Sequence, residues 1–278
     1  MILFCCFLLY PLGRSVVLSL HKTAGTANMT FVGLGNYRFL LTDMLFWVAV
    51  VNTVGYAVIF LSLQIPLSLG LALLMNNKAV RLRNLFRFAF FSPVLVGHVF
   101  VAVIFSLLLA QRHGLVNRAI GAVLPAVGTE INWTRDPRYA LPAIIIASLW
   151  LSIGYGMIYF LAALQGVDRE LYEAAEVDGA GPWSKFWHVT FPGIRPVLMF
   201  MVLVGTIGAF QLFELPYVLF QGPGPNNRGL TIVMYLFQYG FEFGDIGYAS
   251  AVGWVLVLLI FALSLAQLVM SRSKGDAR

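Results

Sequence analysis

The sequence predicts an all-α polytopic membrane protein, a bundle of six transmembrane helices, and three observations carry that expectation. The chain is 60% hydrophobic and only 11% charged over 278 residues, with a mean hydropathy of +0.84, whereas soluble domains carry about 25% charged residues. Its apolar residues fall into six runs of roughly membrane-spanning length. Those runs are continuous rather than alternating, which favours helices over the strands of a barrel, the other architecture that satisfies every backbone group within lipid.

The runs are, in order, about 1–20, 46–75, 88–110, 140–164, 197–220 and 248–270. The first is the weakest, because Arg14 interrupts it and Pro11 is placed to kink it; Arg14 is expected to snorkel to the interface. The second is long enough to tilt. No basic region precedes the first run, so a cleaved signal peptide is not expected. Cys5 and Cys6 are adjacent and are read as packing or lipid-facing residues.

Charge sets the expected orientation. Ten of the 18 Lys and Arg fall on the side holding residues 76–87, 165–196 and the tail after Met270: Lys78, Arg81, Arg83, Arg87, Arg169, Lys185, Arg195, Arg272, Lys274 and Arg278. The other eight are spread over longer loops. The denser side reads as cytoplasmic, with both termini. On the opposite side, 116–123 is expected to form a short interfacial helix. Gln221–Asn227 is too rich in glycine and proline for regular structure, and 230–241 reads as a helix on the bundle.

The stretch 165–196 is the chemical anomaly of the chain. It holds five of the twelve acidic residues between positions 168 and 178, where lipid cannot receive them. Asp168 is expected to cap a helix over about 169–177. Leu171, Ala174, Ala175 and Asp178 share a face at helical spacing, and Gly179 is placed to end the helix in a left-handed turn. Gly181-Pro182 would start a second helix with Trp183, Phe186, Trp187 and Val189 on its apolar face, and Pro192 would stop it before the fifth span. From the residues alone, the stretch is either a structured connection or a docking element for a cytoplasmic partner.

Glu173-Ala174-Ala175, then Gly179, then Val189-Thr190-Phe191-Pro192 resembles the EAA loop of the membrane subunits of binding-protein-dependent ABC importers. The family pattern has isoleucine and leucine where Val189 and Phe191 stand, so the apolar character is kept. Phe31–Tyr37, Arg87 with Phe91-Ser92-Pro93, and Phe243–Ala251 are similar to segments of sugar-type permeases, close to maltose- and glycerol-3-phosphate-type first subunits; the basic tail those subunits usually carry before their first span has no counterpart here.

The resemblance implies the type I ABC importer permease fold in one domain, 1–278. It implies a coupling helix around Glu173–Val177 seated in a separate ATPase subunit, with Glu173 in charged contact, Ala174 and Ala175 packing closely and Gly179 allowing the turn; Asp178 and Pro192 complete the expected ATPase-coupling residues. ATP and Mg would be bound by two ATPase subunits, since this chain has no G-x-x-x-x-G-K-[ST] phosphate loop. A second, different permease subunit and a periplasmic or lipid-anchored solute-binding protein complete the expected assembly in a bacterial inner membrane. The solute class it implies is a sugar, or a related polyol or sugar phosphate.

Within the spans, Glu214 is the acidic residue to explain. It would either line the solute path, with Phe210, Gln211 and Tyr217 near it, or pair at the outer interface with a loop charge such as Arg228. Asn52, Gln64 and Gln211 are solute-path candidates for which interhelical hydrogen bonding is the ordinary alternative. His98 is expected to be a packed, hydrogen-bonded histidine, and Gly154, Gly156, Gly205 and Gly208 to mark close helix packing. No set of His, Cys and carboxylate residues has metal-ligand spacing, no nucleophile–base pair stands out, and nothing signals nucleic acid. An amino-acid or peptide permease, and more distantly an ion-coupled secondary transporter with its intramembrane carboxylates and paired broken helices, are the competing readings.

Overall fold

The computed structural model describes residues 2–24, 28–77, 80–123 and 131–273. Lys78, Lys274 and Arg278 of the charge count lie outside the described residues. Among the described residues, four helices are long and apolar enough to cross a membrane: Met44–Asn76, Pro137–Gln165, Pro182–Phe210 and Ile246–Ser271. Arg83–Leu95 and His98–Leu108, taken together as one bent pair, are long and apolar enough for a fifth. The first expected span is a helical run over 2–19, containing the shorter apolar helix Cys5–Ser19. At about 1.5 Å per residue, that run reaches about 27 Å. Cys5 and Cys6 are exposed on it, in keeping with the sequence reading.

Two expected spans need correction. The third is not one rod over 88–110: its halves meet at a 103° bend, where Pro93 sits in a one-turn 3₁₀ segment and Gly97 precedes the second half. The fifth helix starts at Pro182 and ends at Phe210, so it neither begins at 197 nor reaches 220. Pro192 does not stop a preceding helix. A π-turn over Phe186–Thr190 absorbs the mismatch, and Pro192 lies near the N-terminal end of the α-segment after it, where its missing N–H costs little.

The second and fourth spans form the central pair. Gly156 makes their approach possible: a Cβ there would lie 2.5 Å from Ser68 Oγ and 2.8 Å from Gln64 Nε2. Gly154 does the same for the third span, where a Cβ would fall 1.7 Å from the Phe90 carbonyl oxygen. Gly205 faces Leu61 at 2.5 Å. These three match the packing role expected of them; Gly208, with nothing within 4 Å, does not.

The first span lies against the last, through a feature the sequence did not announce. A two-stranded antiparallel hairpin, His21–Ala24 with Asn28–Phe31, adds a little β-structure to an otherwise helical chain. Thr23 donates from N and Oγ1 to Asp245 Oδ1 at 3.2 and 3.1 Å, and the Gly247 N–H donates to Thr23 Oγ1 at 2.9 Å. A Cβ at Gly247 would strike the His21 carbonyl oxygen at 1.9 Å. Buried Asn36 donates to the carbonyls of Ser19 and His21 at 2.8 and 2.9 Å, satisfying groups freed where the first helix ends. Trp254 Nε1 reaches Ser15 Oγ at 3.2 Å.

Buried apolar residues form two cores. One gathers around Ile144, Leu215, Met234 and Tyr235. The other, next to the 165–196 stretch, gathers around Met157, Phe160 and Ile194. Asp43 caps the second span by accepting from the Leu45 N–H at 2.8 Å, and also accepts hydrogen bonds from the phenols of Tyr235 and Tyr239. Tyr235 meets Tyr248 at 2.7 Å, so this cluster ties the starts of the second and sixth spans to the helix Ile232–Phe237.

Candidate functional site

The 165–196 stretch folds as a helix, a tight turn and the start of the long fifth helix. The first helix runs Arg169–Val177, and Asp168 caps it by accepting from the Glu170 N–H at 3.2 Å. Its C-terminus is closed by two bonds: Ala180 N–H to Ala175 O at 2.8 Å, and Gly179 N–H to Glu176 O at 3.0 Å. This paired geometry is the Schellman motif, which places a left-handed residue after the helix. Gly179 has φ of +74°, and a Cβ there would meet nothing within 4 Å. Glycine is therefore required by backbone conformation alone, not by crowding.

Two side-chain contacts hold this helix against the base of the fifth span. Lys185 Nζ lies 2.6 Å from Glu176 Oε1, and Tyr172 Oη lies 3.0 Å from Thr190 Oγ1. Val167 packs where Gly193 leaves room, at 2.7 Å from its absent Cβ. The rest of the helix is uncovered. Glu173, Ala174 and Asp178 are exposed, Ala175 is half-buried, and Leu171 and Val177 are exposed apolar residues. A short helix with no buried residue gains little from packing on its own chain; its two capped ends set its shape.

A second feature lies among the second, fourth and fifth spans. A cavity of about 580 Å³ opens between them, within the size range of small-molecule sites. Tyr56, Phe60 and Gln64 line it from the second span, Ser152 and Tyr155 from the fourth, and Gly205 and Gly208 from the fifth. Gly208 thus bounds open space rather than a packed helix. Both helix discontinuities end here. Val94 and His98 come from the bend of the third span, and Gln211, Leu212, Phe213 and Glu214 from the break after the fifth.

Glu214 is the first residue of the short helix Glu214–Phe220, not a member of a continuous span. Its Oε2 lies 3.4 Å from His98 Nδ1. Its partner is thus not the loop charge Arg228 of the interfacial alternative. The structure also corrects the reading of His98, whose side chain is 58% exposed rather than packed. Proline at 216 and glycine at 97 flag these breaks in the sequence, but the pairing joins residues far apart in the chain and had no local signal.

The other path candidates are placed elsewhere. Gln211 lines the cavity with Glu214. Phe210 is buried in the core. Tyr217 packs on Phe213 and Phe237. Asn52 donates to the carbonyls of Asn227 and Leu230 at 2.7 and 3.0 Å, so it pins the glycine- and proline-rich loop. Gln64, by contrast, is buried on the cavity wall with its Oε1 unpartnered. Among the described residues, no group of three or more His, Cys, Asp and Glu side chains could hold a metal ion.

Comparison with known proteins agrees with this geometry. Residues 64–275 match the family described as binding-protein-dependent transport system inner membrane component. The chain is 36% identical over 274 residues to the arabinooligosaccharides transport system permease protein AraP of Bacillus subtilis (strain 168), covering 98% of this chain and 86% of that protein. It is 38% identical over 270 residues to the lactose transport system permease protein LacF of Rhizobium radiobacter, covering 96% and 90%. It is 30% identical over 272 residues to the trehalose/maltose transport system permease protein MalF of Thermococcus litoralis, covering 97% and 90%. The fold is also that of a crystal structure of a bacterial ABC transporter involved in the import of the acidic polysaccharide alginate, with a TM-score of 0.84, 24% identity, and 98% and 92% of the two chains covered. With a capped, uncovered helix at one end and an open cavity between its spans, this chain belongs to the inner membrane components of binding-protein-dependent transport systems.

Proposed function

We propose that this chain, acting as one domain, forms half of the pathway by which an ATP-driven importer moves a sugar or related polyhydroxy solute across the bacterial inner membrane. The cavity at the junction of two broken helices carries the reading. It offers aromatic faces from Tyr56, Phe60 and Phe213 beside amide, hydroxyl and carboxylate groups, a combination that suits the apolar faces and hydroxyl edges of a sugar ring. The names of the relatives, which specify arabinooligosaccharides, lactose and trehalose/maltose, point the same way.

The 165–196 stretch would lie in the cytoplasm with both termini. There the helix Arg169–Val177 would seat in an ATPase subunit that binds ATP and Mg. One such helix per chain and two ATPase subunits call for a second permease; we take it to be a different chain. A periplasmic or lipid-anchored binding protein would deliver the solute from the other side. ATP-driven closure of the ATPase pair would move the coupling helices and alternate the access of the cavity.

The test is uptake by the complete importer in vesicles, supplied with its binding protein. Radiolabelled lactose, maltose and arabinotriose are compared with leucine and a dipeptide. Uptake of at least one saccharide, abolished by Glu173→Lys while the complex remains inserted, is expected. Uptake of only the amino acid or peptide would overturn the solute class, and unimpaired uptake by the variant would overturn the coupling role.

A further inference from the structure

The hydrogen-bond polarity of the cavity wall carries an inference that rests on the proposed function and narrows it. Sugars that differ only in an acidic group are matched or rejected by what the wall offers them. Glu214 presents a carboxylate, which accepts and cannot donate. Gln64 Oε1 is buried within the wall without a partner, so it is not among the groups a solute meets. Two hydroxyls are already committed elsewhere: Ser152 Oγ donates to the Ser148 carbonyl at 2.7 Å, and Tyr155 Oη donates to Tyr159 Oη at 3.1 Å. Their lone pairs and the exposed Gln211 amide, which both donates and accepts, are the neutral groups left for a solute. No lysine or arginine lines the cavity among the described residues. The compensating group is His98, whose Nδ1 is turned to Glu214.

We propose that Glu214, held by His98, makes this half of the pathway selective for neutral or amino sugars against solutes bearing carboxylate or phosphate. A neutral sugar ring brings a hydroxyl proton to the Glu214 carboxylate. A uronate replaces that donor with an anion that meets the carboxylate, and like charges brought together repel. Sugar phosphates fall outside the solute class on the same ground. His98 orients the carboxylate; it is a positioning residue, and the selectivity resides in the charge of Glu214.

Saturation-transfer NMR on the purified importer without its binding protein tests this at the membrane site alone. The probes are an α-linked galactose trisaccharide and trigalacturonate, which differ in the carboxylates, mixed at equal concentration. The wild-type complex is expected to transfer magnetisation to the neutral trisaccharide and at least about tenfold less to trigalacturonate. Glu214→Gln keeps size and hydrogen bonding but removes the charge, and it is expected to narrow that ratio to within about threefold. His98→Gln removes the partner but leaves the charge, and it is expected to narrow the ratio by less than Glu214→Gln does. Its signal also reports that the cavity survives substitution. Equal transfer to both probes in the wild type, an unchanged ratio in Glu214→Gln, or a ratio lost equally in His98→Gln would each overturn the proposal while leaving a sugar permease in place. No transfer to either probe would instead overturn the sugar reading itself.

Discussion

Replacing Gly179 separates backbone conformation from crowding, because a Cβ at that position would meet nothing within 4 Å while φ is +74°. An L-residue pays about 1–2 kcal/mol to hold the left-handed region, and alanine recovers part of any unfolded-state gain only where the conformation suits it. The alternative is to open the turn and lose the bonds from Ala180 to Ala175 and from Gly179 to Glu176, each worth about 1 kcal/mol. Either route costs the turned state about 1–2 kcal/mol, a five- to thirtyfold fall, about the full range for such an energy, in its population relative to open forms. Because the helix Arg169–Val177 buries no residue, the loss stays local and the bundle is untouched.

The assay is uptake per ATP hydrolysed in vesicles, with thermal unfolding of the complex as control. Gly179→Ala should lower the coupling ratio several-fold, and Gly179→Val should lower it further. Gly179→Asn should fall between wild type and alanine, because asparagine enters the left-handed region more readily. The unfolding temperature should move by less than about 2 °C in all three. Wild-type coupling in Gly179→Val would refute the reasoning, and so would a fall in unfolding temperature large enough to place the residue in the packed structure.

The packing of the bundle sets two further expected outcomes. Gly154→Ala drives a methyl group into the Phe90 carbonyl oxygen, 1.7 Å away; this backbone atom cannot step aside, so the complex should lose at least about 1–3 kcal/mol and assemble poorly in a detergent-melting assay, whereas Gly208→Ala, with open space around it, should melt like wild type. Burial, and then the Asp43 carboxylate, push the Tyr235 phenol far above its usual range, so it stays a donor. Tyr235→Phe should cost about 1.5–3 kcal/mol for a bond to a charged group, and Tyr239→Phe, whose contact with Asp43 is 3.4 Å, should cost less in the same melt.

The second, fourth and sixth spans were legible because continuous apolar runs of that length have few other uses. The coupling-loop helix and its glycine turn were legible because capping chemistry is local: Asp168 and Gly179 act within a few residues of themselves. The breaks at 96–97 and 211–213 had only Gly97 and Pro216 to mark them, because Val96, Leu212 and Phe213 are as apolar as the helices they interrupt, and hydropathy does not register a change of direction. Pro182 marked a helix start, yet the π-turn over 186–190 let that helix run on into the fifth span. Pairings such as His98 with Glu214, or Asn52 with the 227–230 carbonyls, depend on which spans become neighbours. No single segment encodes that choice.

The union of Thr23 with Asp245 and Gly247 also sets a schedule for biogenesis. The first span, interrupted by Arg14, lies against the sixth, so its final partners are synthesised long after it. At about 5–20 residues per second, more than two hundred residues of synthesis separate the first helix from the strand-and-helix junction that receives it. Until then the carbonyls of Ser19 and His21 can keep their bonds from Asn36. The hairpin thus joins the first helix to the sixth span late, and damage at Asp245 should act by stranding the beginning of the chain.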